Sequence, residues 1–192
     1  MAAKKQVGVS QVYQLKITLL GSQPPIWRRF QVPNDMNLAK LHQVIQLVMG
    51  WEDSHMHQFK VGKTYYGATY PDDFDGMPET RDERKARLQE LIARPKAKFV
   101  YEYDFGDSWE HEVVLEKILP SETGTTYPVC VEGKRACPPE DCGGVWGYPD
   151  FLAAIQDPSH PDHEDMLEWI GGSFDPEAFE VETVNKKLRR IR

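Results

Sequence analysis

At 192 residues, with 40% hydrophobic and 28% charged side chains, the chain is long enough for one domain with a full core and too apolar and aromatic for a disordered segment. Its net charge is −7, and no apolar run approaches the ~20 residues that a membrane helix needs. Three cysteines, an odd number, rule out a scaffold in which every cysteine pairs within the chain.

The opening Met-Ala-Ala-Lys-Lys-Gln lacks the apolar core of a signal peptide, so a cytoplasmic protein is expected, with a tail over residues 1–11 and one domain over 12–192. Residues 12–20 alternate, Tyr13, Leu15, Ile17 and Leu19 on one face and Gln14, Lys16 and Thr18 on the other, which predicts a half-buried strand. A break at Ser22-Gln-Pro-Pro25 precedes a second strand over 26–32. Leu38, Leu41, Val44, Ile45, Val48 and Met49 recur at helical spacing between a capping Asn37 and a terminating Gly50. Residues 55–61 alternate and turn at Gly62-Lys63 into 64–66, a hairpin. Residues 70–78 read as an acidic loop. Thr80 and Glu83 have capping-box spacing ahead of a helix through Leu88, Leu91 and Ile92. Two strands, 99–105 and 109–118, flank Gly106-Asp-Ser108, and 121–147 is irregular. Three short helices follow, near Pro149, near Pro161, and after Pro176 or from Val181. Strands first and helices last predict a single α+β domain with a mainly antiparallel sheet and several packed helices.

Charge is unevenly spread. Residues 67–185 carry ten Lys/Arg against 27 Asp/Glu, whereas the last seven residues add five positive charges. Duplex binding draws on a basic surface, so the middle of the chain disfavours nucleic acid. Only Arg28, Arg29 and the tail are suited to it, and a basic tail also suits a helix end.

A three-residue loop at 106–108 would pair Phe105 with Trp109, Tyr103 with His111 and Tyr101 with Val113. That register sets Asp104 opposite Glu110 and Glu102 opposite Glu112, like-charge pairs that are destabilising unless offset by a cation or by solvent. His55 and His57 fall on one strand face, ~7 Å apart. They are either hydrogen-bonded residues beside Trp51 or, with His111 on a neighbouring strand, part of a shared metal site. Cys130, Cys137 and Cys142 are candidate zinc ligands, although their x6 and x4 spacing lacks the short pair of structural zinc sites, and buried thiols also pack as small hydrophobes. Glu132, Glu140 and Asp141 nearby would suit a harder cation. Nucleophile-elbow, phosphate-loop, dinucleotide and zinc-protease motifs are absent. In Gly143-Gly-Val-Trp-Gly147 the glycines suit positive backbone dihedrals in a tight loop.

Several strings together resemble the Ri-plasmid ORF-three-like family. They are Pro24-Pro-Ile-Trp-Arg-Arg-Phe-Gln-Val-Pro33, Leu41-His42 through Met49-Gly-Trp51, Asp53-Ser-His-Met-His-Gln-Phe59, Tyr103-Asp-Phe-Gly-Asp-Ser-Trp-Glu-His111, Pro138-Pro-Glu-Asp-Cys-Gly-Gly-Val-Trp-Gly-Tyr148 and Trp169-Ile-Gly-Gly-Ser-Phe-Asp-Pro-Glu-Ala-Phe179. The resemblance spans residues 12–188 and implies one α+β domain without an established activity, some relatives being labelled resolvase-like or passengers of insertion sequences. Neither the Arg/His/Tyr cluster of a tyrosine recombinase nor the arginine-surrounded early serine of a serine recombinase is present, so the resolvase label is not carried over.

The expected function is a non-enzymatic binding module for a protein or small molecule, acting through an acidic-aromatic surface. Its candidate residues are Trp51, His55, His57, Tyr103, Asp104, Asp107, Trp109, His111, Glu140, Asp141 and Trp146. The alternatives are a metal-dependent hydrolase using the histidines, and a DNA-associated accessory protein of mobile elements using the tail. No catalytic residue is assigned.

Overall fold

The computed structural model describes residues 11–68 and 80–191; the predicted loop at 70–78 lies outside them. Its strands are β1 (Gln11–Leu19), β2 (Trp27–Pro33), β3 (His57–Val61), β4 (Thr64–Gly67), β5 (Thr80–Asp82), β6 (Lys98–Tyr103), β7 (Trp109–Pro120) and β8 (Val129–Lys134). Its helices are α1 (Leu38–Met49), α2 (Leu88–Leu91), α3 (Gly144–Gln156), α4 (His163–Trp169) and α5 (Val181–Leu188). The strands form one sheet in the order β5-β4-β3-β6-β7-β1-β2-β8, antiparallel except for the β4–β5 pair. This is a single α+β domain, and no helix among the described residues is long and apolar enough to cross a membrane.

The alternating residues of β1 bury Tyr13, Leu15, Ile17 and Leu19 against the predicted apolar face of α1. Asn37 caps that helix by accepting from Lys40 N at 2.9 Å, and Gly50 ends it at φ 114°, where a side chain would be strained. Arg28 then closes the helix. It is fully buried on β2 and donates to the Val48 and Met49 carbonyls at 2.7 and 3.1 Å and to those of Trp27 and Lys134 at 2.9 and 2.7 Å. A cation at the negative end of a helix dipole is stabilised there, and the Phe179 ring covers it at 4.0 Å. Burial pulls its pKa down to about 10, which still leaves it charged at neutral pH.

Four expectations are corrected. Residues 80–83 start no helix: Thr80–Asp82 pairs with β4, Glu83 is drawn to His57, and α2 covers only Leu88–Leu91. The irregular stretch contains β8, an edge strand held by β2 and by Asn185, which bonds both the N–H and the C=O of Cys130 at 2.7 and 2.9 Å. The first of the late helices starts at Gly144, ahead of Pro149, which sits inside it. Finally, the β6–β7 register is two residues from the one predicted: Tyr103 pairs with Trp109, Tyr101 with His111 and Glu102 with Glu110. Asp104 and Ser108 take left-handed backbones, φ 56° and 52°, and widen the loop. A slip of two keeps every side chain on its predicted face, but it dissolves most of the carboxylate ladder. Glu112 faces Val100 and bonds Lys98 at 2.6 Å, and Glu102 accepts from Gln58 and Ser108.

Candidate ligand-binding site

Three loops meet at one end of the sheet: 51–56 after α1, 104–108 between β6 and β7, and 137–143 before α3. Glycines allow them to touch. A Cβ on Gly144, already at φ 67°, would run into the Asp107 carbonyl oxygen, and one on Gly147 would meet that of Cys142. Asp107 also accepts from Gly143 N at 3.1 Å. Glu140 ties in the third loop, its Oε1 accepting from Glu52 N at 2.7 Å and from the Tyr103 hydroxyl at 3.1 Å. Tyr103 in turn accepts from Ser54 N at 2.9 Å. Burial above all pushes the Tyr103 phenol well up, so it stays a donor.

At the junction stands His55, its ring edge-on to Tyr103. Nε2 lies 3.3 Å from Asp141 Oδ1 and 3.5 Å from Glu140 Oε2, and Nδ1 lies 3.7 Å from Asp104 Oδ2. Asp104 and Asp141 both have left-handed backbones. His55 Nε2 and Glu140 Oε2 are fully buried without a hydrogen-bond partner, as is Trp109 Nε1 in the core.

His57 belongs elsewhere. Its ring stacks on His42 at 3.4 Å, nearly parallel, and its Nε2 bonds the buried Glu83 at 2.8 Å. His42 bonds the Tyr101 hydroxyl through Nδ1 and Asp53 through Nε2, both at 2.8 Å, and Gln46 donates to the same hydroxyl at 2.9 Å. Desolvation, reinforced by the neighbouring His57, lowers the His42 pKa. His111 is deeper still, fully buried beside Trp51, whose indole N–H donates to it at 3.4 Å; burial drives its pKa down to about 4. The three histidines therefore do not converge, which removes the geometry drawn for the hydrolase reading.

Of the other predicted surface residues, Trp51, Tyr103 and Trp109 are core. Trp51 packs on both of the others at 5.2–5.3 Å, because β6 and β7 turn their aromatic face inward. Trp146, 86% exposed, is a surface residue as expected. The cysteines do not gather. Among the described residues the one metal-capable group is His55, Asp104 and Asp141. Cys130 lies on β8 against the Arg29 and Glu132 carbonyls. Burial raises the Cys130 and Cys142 thiols to about 11 and 12, and Cys137 well up. Arg28 is consumed by α1, and Arg29 by Glu116, at 2.6 Å, and Glu132. Lys186 and Lys187 stand in the last turn of α5, where they complement the helix dipole.

A groove between α3 and α4, about 490 Å³ in volume, begins at Asp141 and is announced by no motif. Phe151, Ala154, Met166 and Trp169 give it an apolar lining, and Asp141, Asp150 and Asp162 add carboxylates. These residues are scattered over 29 positions and share no motif. Residues 136–180, which contain the groove, hold 11 Asp/Glu and no Lys or Arg.

A family model, "Plasmid pRiA4b ORF-3-like protein", matches residues 11–183. The chain is similar to the "Uncharacterized protein y4hQ" of Sinorhizobium fredii (strain NBRC 101917 / NGR234), 39% identical over 94% of this chain and 92% of that one. It is also similar to the crystal structure of the "Protein of Unknown Function MM3350" from Methanosarcina mazei Go1, with a TM-score of 0.80, 42% identity and coverage of 90% of this chain and 97% of that one.

Proposed function

We propose, for a chain that belongs to the plasmid pRiA4b ORF-3-like family, the role of a binding module whose α3–α4 groove takes a basic, apolar-bodied segment of a partner protein. The observation that carries this reading is the pairing of an apolar lining with carboxylates in a stretch free of Lys and Arg. A lysine or arginine lays its methylene stem on apolar surface while its head stays among charges. Trp169, 46% exposed at the groove, offers a ring face for a cation. Exposed carboxylates steer and select more than they hold, so the contact is salt-sensitive and transient.

Fluorescence anisotropy tests it, with a labelled peptide that alternates Lys or Arg with Leu and an acidic peptide of matched length. The basic peptide binds saturably, and Trp169→Ala or the double change Asp150→Asn/Asp162→Asn weakens it by about tenfold, 1.4 kcal/mol. Equal binding of the acidic peptide, or indifference to Trp169→Ala, would sink the reading.

A further inference from the structure

His55 and Asp104 do not line the α3–α4 groove, and neither belongs to the hydrophobic core. We infer that His55, Asp104 and Asp141, with Glu140 beside them, bind a divalent transition-metal ion. The ligand atoms of the first three lie within 4.8 Å of one another. Donors at ~2.1 Å from a common ion stand about 3–4 Å apart, so the cluster closes on an ion by small side-chain movements.

Three observations set this cluster apart from an ordinary acidic patch. First, His55 Nε2 and Glu140 Oε2 are fully buried yet unbonded, facing each other at 3.5 Å; buried polar atoms are normally paired. Secondly, the Asp104 side chain is only 10% exposed and spends Oδ1 on Gly106 N at 2.9 Å, while Oδ2 points at His55 from beyond hydrogen-bond range. Thirdly, among the described residues no Lys or Arg forms an ion pair with Asp104, Glu140 or Asp141, so one imidazole faces three carboxylates. A dication relieves that like-charge crowding.

The donors are also held in place. Glu140 is fixed through its other oxygen by Glu52 N and Tyr103, and Asp104 by its own loop. Asp141, 69% exposed, leaves the cluster open to solvent. One imidazole nitrogen with carboxylate oxygens suits Zn²⁺ or Mn²⁺ better than the all-oxygen preference of Ca²⁺ or Mg²⁺.

The test uses the full, untagged chain stripped with chelator, titrated at neutral pH with Zn²⁺ by calorimetry and with Mn²⁺ by electron paramagnetic resonance. One equivalent binds. Asp104→Asn and Asp141→Asn each weaken it by about tenfold or more, whereas Cys137→Ser and Glu110→Gln leave it unchanged. Asparagine tolerates the left-handed backbone and keeps an acceptor, so both variants fold, as circular dichroism verifies; His55→Gln is the second probe. Absence of saturable binding at about 100 μM of either ion, wild-type affinity in Asp104→Asn, or loss in Cys137→Ser overturns the inference. Peptide binding with Trp169→Ala is read separately, so the failure of one proposal leaves the other standing.

Discussion

His57 and His55 are two residues apart and live in opposite circumstances. His57 lies in a run of close contacts, stacked on His42 and bonded to Glu83, with Tyr101, Gln46 and Asp53 joined beyond at 2.8–2.9 Å. His55 has three carboxylates around it at 3.3–3.7 Å and a buried nitrogen without a hydrogen bond. A polar network that closes on itself contributes rigidity and a unique arrangement of the core. One left open is destabilising as it stands, and it is where a ligand gains most by binding. The first histidine is thus part of what holds the sheet under α1, and the second part of what the fold presents.

Measurements of stability can break this contrast. The largest effect is expected from acid. His111, on the interior side through the Tyr101 carbonyl, has a folded pKa of about 4 against about 6.5 in an unfolded chain. Because the unfolded chain takes up the proton first, its contribution is complete above pH ~6.5. It is lost as pH falls toward 4, by about 3 kcal/mol. The lowered His42 acts in the same direction. Urea midpoints followed from pH 7 to pH 4.5 measure this, and a flat profile would refute it.

Next is His57→Ala, which leaves the buried Glu83 carboxylate without its partner. A loss of about 3 kcal/mol lowers Tm by roughly 6–12 °C for a domain of this size, readable by calorimetry. Gly144→Ala is expected to cost about 2 kcal/mol through its positive φ and the Asp107 carbonyl. It should also weaken metal binding with Asp104 and Asp141 intact, because the 104–108 and 137–143 loops are pushed apart. The smallest change is His55→Ala, within about 0.5 kcal/mol in metal-free protein. A loss above about 2 kcal/mol there would make the outer cluster structural and erase the distinction.

Periodicity carried much of the fold. β1, β2, α1 and the β3–β4 hairpin are readable because apolar residues recur at the strand or helix period between clear stops. β8 is not legible because Val129–Lys134 contains a glycine and shows no clean alternation, and it is held by β2 and by Asn185, 55 residues away. The register slip has a local cause, since no pattern marks an aspartate and a serine for left-handed backbones. His55, Asp104, Asp107, Glu140 and Asp141 are legible as candidates from residue type, and the structure brings them to one corner. Their partition from His57, Trp51 and His111 depends on which loop each strand end delivers. Arg28 reads in the sequence as half of a basic pair suited to nucleic acid and is the cap of a helix it does not adjoin.

The left-handed backbones of Asp104 and Asp141 bear on how this corner would be traced through evolution. A position at positive φ admits Asp, Asn and Gly far more readily than other residues, so an aspartate there can persist for conformational reasons after any ligand is gone. His55 and Glu140 are not in that region of backbone space and are free to drift once their chemistry is not needed. Among diverging descendants, these two positions record whether the site was kept, and the two aspartates record mainly the shape of the loops.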